Sequence, residues 1–261
     1  MDLNLLGKRA IVCGSTQGIG KASAFELALL GASVTLIARN EETLAQAVSA
    51  LDSERGQKHN YLVADFAFPD QLKKVIENYT KHNVVEILVN NTGGPPAGLA
   101  IDALAEDYLN AFRSHLICNQ ILTQAVVRGM KEKKYGRIIN IISTSVKTPI
   151  KGLGVSNTIR GAVANWAKTL SVELAPFGIT VNNVLPGATM TQRLESVLRE
   201  KAEESGKTMD MVKQEMVADI PAGRISEAHE VAAAVAFLAS PAAGYINGIN
   251  VPVDGGRTKS L

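Results

Sequence analysis

Residues Arg9–Gly20 read R-A-I-V-C-G-S-T-Q-G-I-G. An apolar run of strand length ends at Cys13, and the chain then turns through three glycines into a helical pattern. Gly14 permits a tight turn. Gly18 lets a bound group approach the backbone, and Gly20 lets the helix pack closely on the strand. Ser15 and Ile19 lie within the same turn, where Ser15 offers a hydroxyl. A helix opened in this way presents free N–H groups and the positive end of its dipole to phosphate. The spacing is G-x-x-x-G-x-G rather than G-x-G-x-x-G, so its weight comes from its place after the first strand of an alternating chain.

That alternation runs outward from the loop. Strand-like runs are expected at Arg9–Cys13, Ser33–Ala38, Asn60–Ala64, Ile87–Asn90, Gly136–Ile142, Thr180–Leu185 and Ile249–Val253. Helical patterns are expected between them, at Gly18–Leu30, Asn40–Ser53, Asp70–Lys81, Asp102–Lys133, Ser156–Ala175 and Ala228–Ala239. A charged segment, Gln192–Ala218, is also helical in pattern, with a break expected at Gly206. Several strands are continuously apolar, as in a parallel sheet covered on both faces by helices. The expectation is an α/β, doubly wound parallel sheet. Right-handed crossovers place the C-terminal ends of all strands on one edge, where ligands bind.

Composition narrows the function classes. The 261 residues are 46% hydrophobic and 20% charged, with a net charge of +2. Such a balance gives no electrostatic case for nucleic acid or an anionic membrane. No apolar run reaches spanning length. Two cysteines, Cys13 and Cys118, make no disulfide framework and fit a cytoplasmic location. Four scattered histidines lack partners at ligand spacing, so no metal site is expected.

The glycine loop, Asn90-Asn91-Thr92-Gly93, Pro186-Gly187 and V-D-G-G at Val253–Gly256 together resemble the short-chain dehydrogenase/reductase family, in particular its 3-oxoacyl-[acyl-carrier-protein] reductase-like branch. The resemblance covers nearly the whole chain. It implies one Rossmann-type domain over residues 1–261, about seven strands, a nicotinamide cofactor, and a substrate lid over residues 188–222. It also implies a homo-oligomer, dimer or tetramer.

For the cofactor, the resemblance implies contacts from Gly14, Ser15, Gly18, Ile19, Gly20, Asp65, Asn90, Asn91, Gly93, Gly94, Pro186, Gly187 and Thr191. Asp65 would accept from the adenine amino group, or else close a turn with Asp70 as the N-cap of the next helix. The position after the second strand decides between cofactors. Ala38 stands where an NAD enzyme has a carboxylate, and Arg39 follows it. A guanidinium binds a 2′-phosphate as a planar fork, so NADP(H) is favoured over NAD(H).

For the chemistry, the family uses a serine on the substrate oxygen, a Tyr-x-x-x-Lys pair and an asparagine. Ser143 matches the serine. Ser156 and Arg160 stand at the tyrosine and lysine positions, where the resemblance implies that Arg160 also binds the nicotinamide ribose of the cofactor, and His115 stands at the asparagine position, with Asn119 one helical turn away as the alternative. Ser156 and Arg160 are four apart, so they share one helix face. A serine hydroxyl is shorter than a phenol and a far weaker acid, while Arg160 is a cation and a poor proton relay. The expected activity is hydride transfer between nicotinamide and a carbonyl or alcohol, on a small-molecule or acyl-carrier substrate, with a non-standard proton donor. His115, Lys147 and Lys151 are the candidates for that donor. The alternatives are an NADP(H)-binding protein without catalysis, such as a redox sensor, and a structural subunit of a mixed oligomer. Met209, Met211 and Met216 are expected to give the lid an adaptable lining.

Overall fold

In the computed structural model, which describes residues 1–260, the first half alternates strand and helix. It comprises β1 (Arg9–Cys13), α1 (Gly18–Leu29), β2 (Ser33–Ala38), α2 (Glu41–Ser49), β3 (Asn60–Val63), α3 (Pro69–Thr80) and β4 (Ile87–Asn90). Then come α4 (Ala105–Phe112), α5 (Cys118–Lys133), β5 (Gly136–Ile141), α6 (Gly154–Leu174) and β6 (Ile179–Pro186). The chain closes with α7 (Gln192–Ser205), α8 (Met209–Ala218), α9 (Ala228–Ala239) and β7 (Asn250–Val253). All strands pair in parallel, in the order β3-β2-β1-β4-β5-β6-β7. The order reverses between β1 and β4, so a crevice opens there at the carboxyl ends of the strands.

The apolar runs become strands because both of their faces are covered. Val12, Leu36 and Val89 point to the layer that holds Leu27 of α1, Leu44 of α2 and Val235 of α9. Ile11, Ile37 and Leu88 point to the layer that holds Ile76 of α3, Leu122 of α5 and Ala167 of α6. Each fully buried aliphatic side chain contributes about 1.5–3 kcal/mol, so the two layers dominate the stability of the fold.

Most boundaries move by only a few residues from the sequence expectation. The segment expected as one helix from Asp102 differs more. It begins at Ala105, and between α4 and α5 it widens into a π-helical turn at Arg113–Ile117. His115 sits in that turn and is buried. The helix expected from Ser156 begins two residues earlier, so Ser156 lies inside the first turn of α6 rather than at its cap. Nor does Asp70 cap α3: Phe68 is at that position, with Pro69 beginning the helix. Gly206 separates α7 from α8 at φ +66°, as its spacing predicts.

One polar row crosses the apolar sheet. Asn90, Asn140, Asn183 and Asn250 are in register on β4, β5, β6 and β7. Asn90 Nδ2 donates to Asn140 Oδ1 at 2.8 Å, Asn140 Nδ2 to Asn183 Oδ1 at 2.9 Å, and Asn183 Nδ2 to Asn250 Oδ1 at 2.8 Å. Burying an amide is costly unless it is paired; register pairs each rung of the row, and only Asn90 Oδ1 at its end is buried without a partner. The ladder therefore fixes the relative heights of four strand ends beside the crevice.

Candidate active site

A cleft of about 1210 Å³ occupies the crevice. Its outer end is the glycine loop. Gly14 and Gly18 have φ of +56° and +55°, which suit glycine. A Cβ on Gly20 would lie 2.2 Å from the Gly14 carbonyl oxygen, so loop and helix close on each other there. Asn91 locks the turn by donating from Nδ2 to the carbonyls of Cys13 (3.2 Å) and Gly14 (3.1 Å). Gln17 precedes α1 without a side-chain cap bond, which leaves the first helical N–H groups available to an anion. Gly14, Gly18, Ile19 and Asn91 line the cleft.

Ser15 does not. It is fully buried, and its Oγ donates to the Ile37 carbonyl at 3.4 Å. Thr16 and Gln17 take the wall position instead. Asn90, expected beside a ribose, is likewise withdrawn into the asparagine ladder. The sequence marks the turn, but not which way each side chain leaves it.

Arg39 lines the cleft just after β2, followed by Asn40, which caps α2 by accepting from Thr43 N at 2.9 Å. Asp65 also lines it, with Oδ1 accepting from Ala67 N at 2.9 Å. The turn role and a wall position therefore coexist in Asp65. Gly93, Pro186 and Gly187 are on the wall. Gly187 is needed for contact, since a Cβ there would lie 2.8 Å from Asp254 Cα. Thr191 caps α7 and packs its methyl toward Gly18, which ties the charged helix to the glycine loop.

At the inner end, Ser143, Ser156 and Arg160 line the same space. Ser143 opens a short 3-10 turn and its Oγ accepts from Ser145 N at 3.0 Å. Arg160 is 8% exposed. Its Nη1 donates to the Ile141 carbonyl at 3.0 Å and its Nη2 to the Thr92 carbonyl at 3.4 Å. Burial pushes the guanidinium down to about 10, so it remains a cation at neutral pH.

His115 is set apart from these three. It is 2% exposed, does not line the cleft, and bonds through Nδ1 to the Thr92 hydroxyl in a short contact. Burial first, and then the positive charge of Arg160, push its imidazole down to about 3; a backbone hydrogen bond with Gly93 acts in the opposite sense. The structure thus holds His115 neutral and places Thr92 between it and the cleft.

The far wall belongs to α7 and α8, which share a small apolar core of Leu198, Ala202 and Val212. Met216 reaches the cleft, whereas Met209 and Met211 are exposed and do not line it. Arg193, not singled out in the sequence, donates from Nη2 to the Pro95 carbonyl at 2.8 Å across the opening. A main-chain acceptor leaves no trace in sequence, so this contact had no readable signal. No helix among the described residues is long and apolar enough to cross a membrane.

Sheet order, glycine turn and crevice together define a Rossmann-type dinucleotide fold. Comparison with known proteins places it more closely. A family model described as enoyl-(acyl carrier protein) reductase matches residues 14–258. The 3-oxoacyl-[acyl-carrier-protein] reductase FabG of Haemophilus influenzae is 36% identical over 250 residues, 96% of this chain and 98% of that protein. The solved L-sorbose reductase of Gluconobacter frateurii, complexed with NADPH and L-sorbose, is 28% identical with a TM-score of 0.93 over the full length of both chains. An actinorhodin polyketide ketoreductase solved with NADPH is 29% identical with a TM-score of 0.89, covering 97% of this chain and 98% of its own. The chain belongs to the short-chain dehydrogenase/reductase family, a family of oxidoreductases.

Proposed function

We propose that the protein is an NADP(H)-dependent oxidoreductase that interconverts a carbonyl and an alcohol. The observation that carries this reading is a single cleft that joins the glycine loop and Arg39 at one end to Ser143, Ser156 and Arg160 at the other. The glycine loop fits a pyrophosphate, because its N–H groups are uncapped and a Cβ at Gly20 would close it. Arg39 takes the 2′-phosphate as a charge-assisted fork. Gly93, Pro186, Gly187 and Thr191 border the middle of the cofactor. When bound, NADP(H) supplies or accepts the hydride at the inner end. Residues 188–222 act as a lid on one domain spanning residues 1–261.

Ser143 and Ser156 hold the substrate oxygen by their hydroxyls. Arg160 supplies positive potential where negative charge develops on that oxygen. His115, neutral and behind Thr92, orients the wall and is not the acid. The proton reaches the oxygen from water through Ser156, in the space a longer phenol would fill. Absence of a matched general acid lowers the rate by roughly 10²–10⁴-fold. The FabG relatives are 3-oxoacyl-[acyl-carrier-protein] reductases by name, and a carbonyl compound of that kind is the proposed substrate. The exposed apolar side chains Ile101, Leu104 and Leu109 on and before α4 suit a face against a second copy of the chain, as dimer or tetramer.

NADPH and NADH titrations test the cofactor reading. NADPH is expected to bind more tightly, and Arg39→Ala to weaken NADPH by about 10–100-fold, the worth of a charge-assisted bond, while NADH is unaffected. Equal affinities in the parent protein would overturn the preference. The second reading, a nucleotide-binding protein without turnover, is favoured by the withdrawal of His115 from the cleft; NADPH binding with no oxidation across a panel of ketones would select it.

A further inference from the structure

The first turn of α6 carries a side chain that serves a loop more than its own helix. Asn157 Nδ2 donates to the Ile150 carbonyl at 2.9 Å, and Asn157 Oδ1 accepts from Ile150 N at 3.3 Å. The amide thus takes both peptide groups of one residue, as a neighbouring strand would. The helix does not need these bonds, since Asn157 N already donates to the Leu153 carbonyl at 2.8 Å. The loop does need them. Pro149 has no N–H and Gly152 stands at φ +78°, so the loop cannot pair its own peptide groups in a regular ladder. An amide side chain offers a donor and an acceptor side by side on one planar group, which is what Ile150 requires.

What the amide holds is a wall of the cleft. Ile150 and Leu153 line it, and they lie in the chain between Ser143 and Ser156. The segment that carries Ala97 and Leu99, also on the wall, is bonded to the same loop. Gly98 N donates to the Gly152 carbonyl at 2.8 Å, and Gly154 N donates to the Gly98 carbonyl at 3.0 Å. All four wall side chains are apolar. Their placement relative to the Ser156 hydroxyl is therefore set from α6 by the next residue in the chain, Asn157.

We infer that Asn157 is a positioning residue that sets the width of the substrate end, and that the group flanking the reacting carbonyl is apolar and packs on Ile150 and Leu153. Asn157 does not itself line the cleft; it acts through the main chain of Ile150. Without the amide, the loop is free to move outward. A slim ketone then loses contact, whereas a bulky one gains room. The inference rests on the oxidoreductase reading and adds what selects the substrate.

Two keto esters are the probes, ethyl acetoacetate as the slim one and ethyl benzoylacetate as the bulky one. Their dissociation constants are measured by calorimetry in the NADP⁺-saturated protein, where no hydride is available, and their KM and kcat with NADPH. In Asn157→Leu, which keeps a branched side chain but no amide, the ratio of dissociation constants is expected to shift by about 5-fold or more toward the bulky ester, the worth of a neutral hydrogen bond. Asn157→Asp, which accepts from Ile150 N but has no donor for its carbonyl, is expected to shift the ratio the same way, and Asn157→Gln to restore part of the parent ratio. The change is expected in KM rather than in kcat, with NADP⁺ affinity unaltered. An unchanged ratio in folded Asn157→Leu overturns the inference. Equal weakening of both esters and of NADP⁺ also overturns it, by assigning Asn157 to the fold alone. If NADP⁺ fails to bind the parent protein, the oxidoreductase reading falls and the inference with it; if NADP⁺ binds and neither ester does, only the inference falls.

Discussion

Burial acts on both His115 and Arg160 in the direction that removes charge. The imidazole, pushed down to about 3, gives way, while the guanidinium at about 10 does not. The consequence for stability has a definite sign. Below the ordinary imidazole value of about 6.5 the unfolded chain takes a proton here, and the folded chain does not until about pH 3. Stability from this group is therefore complete above pH 6.5 and is lost as pH falls, at up to about 1.4 kcal/mol per pH unit. His115→Gln is expected to flatten the acid limb of a denaturation series between pH 6.5 and 4; an unchanged limb would mean that the imidazole titrates normally. The same neutrality predicts that activity profiles show no inflection from His115 near pH 6.5. At the next positions the side-chain chemistry itself is the limit. Ser156→Tyr with Arg160→Lys restores a phenol and an amine four residues apart on α6, and turnover on a neutral ketone is expected to rise by about 10²-fold. A folded double variant with no gain would show that proton supply does not limit the rate.

At the scale of elements, α7 spans the opening and meets the opposite rim through Arg193 and the Pro95 carbonyl. The bond is exposed, so its worth is small, about 0.5–1.5 kcal/mol. If residues 188–222 act as the proposed lid, that suffices to change how long the cleft stays closed. Arg193→Ala is expected to raise the NADPH dissociation rate by about 3–10-fold in stopped-flow displacement, with a thermal midpoint close to that of the parent. An unchanged rate would remove α7 from the gating role. The elements themselves were largely legible. The runs at Arg9–Cys13 and Ser33–Ala38 are strands to the residue, because both faces of a parallel sheet demand apolar side chains there. The π-helical turn at Arg113–Ile117 was not legible. An apolar period of 3.6 residues continues on either side of it, and one widened turn alters no residue type.

Four of the seven strands are tied by a row that no local reading could find. Asn90, Asn140, Asn183 and Asn250 lie far apart in the chain, and nothing in the residues around each marks the other three as its partners. Only the register of four strands brings them together. The same limit applies to the site. Glycine spacing marked Gly14, Gly18 and Gly20, yet Ser15 turned inward and Thr16 outward. Asn140→Leu removes a middle rung and leaves the Asn90 donor and the Asn183 acceptor buried without partners. At about 1–3 kcal/mol for each orphan, a loss of about 2–5 kcal/mol is expected from chemical denaturation. Because Asn90 leads into Asn91 and Thr92, and Asn140 into Ile141, NADPH affinity is expected to fall in the same variant. A loss below about 0.5 kcal/mol would show that the ladder is not a structural tie.

The rim of the cleft is joined by main chain. Gly98 N donates to the Gly152 carbonyl at 2.8 Å, Gly154 N donates to the Gly98 carbonyl at 3.0 Å, and Arg193 grips a carbonyl three residues before Gly98. Exchanging one side chain for another between Pro95 and Gly98 leaves every one of these acceptors in place. Inserting a single residue shifts them all out of phase together. The rim is thus written as a length rather than as a composition, and the shape of the substrate entrance follows from counting residues.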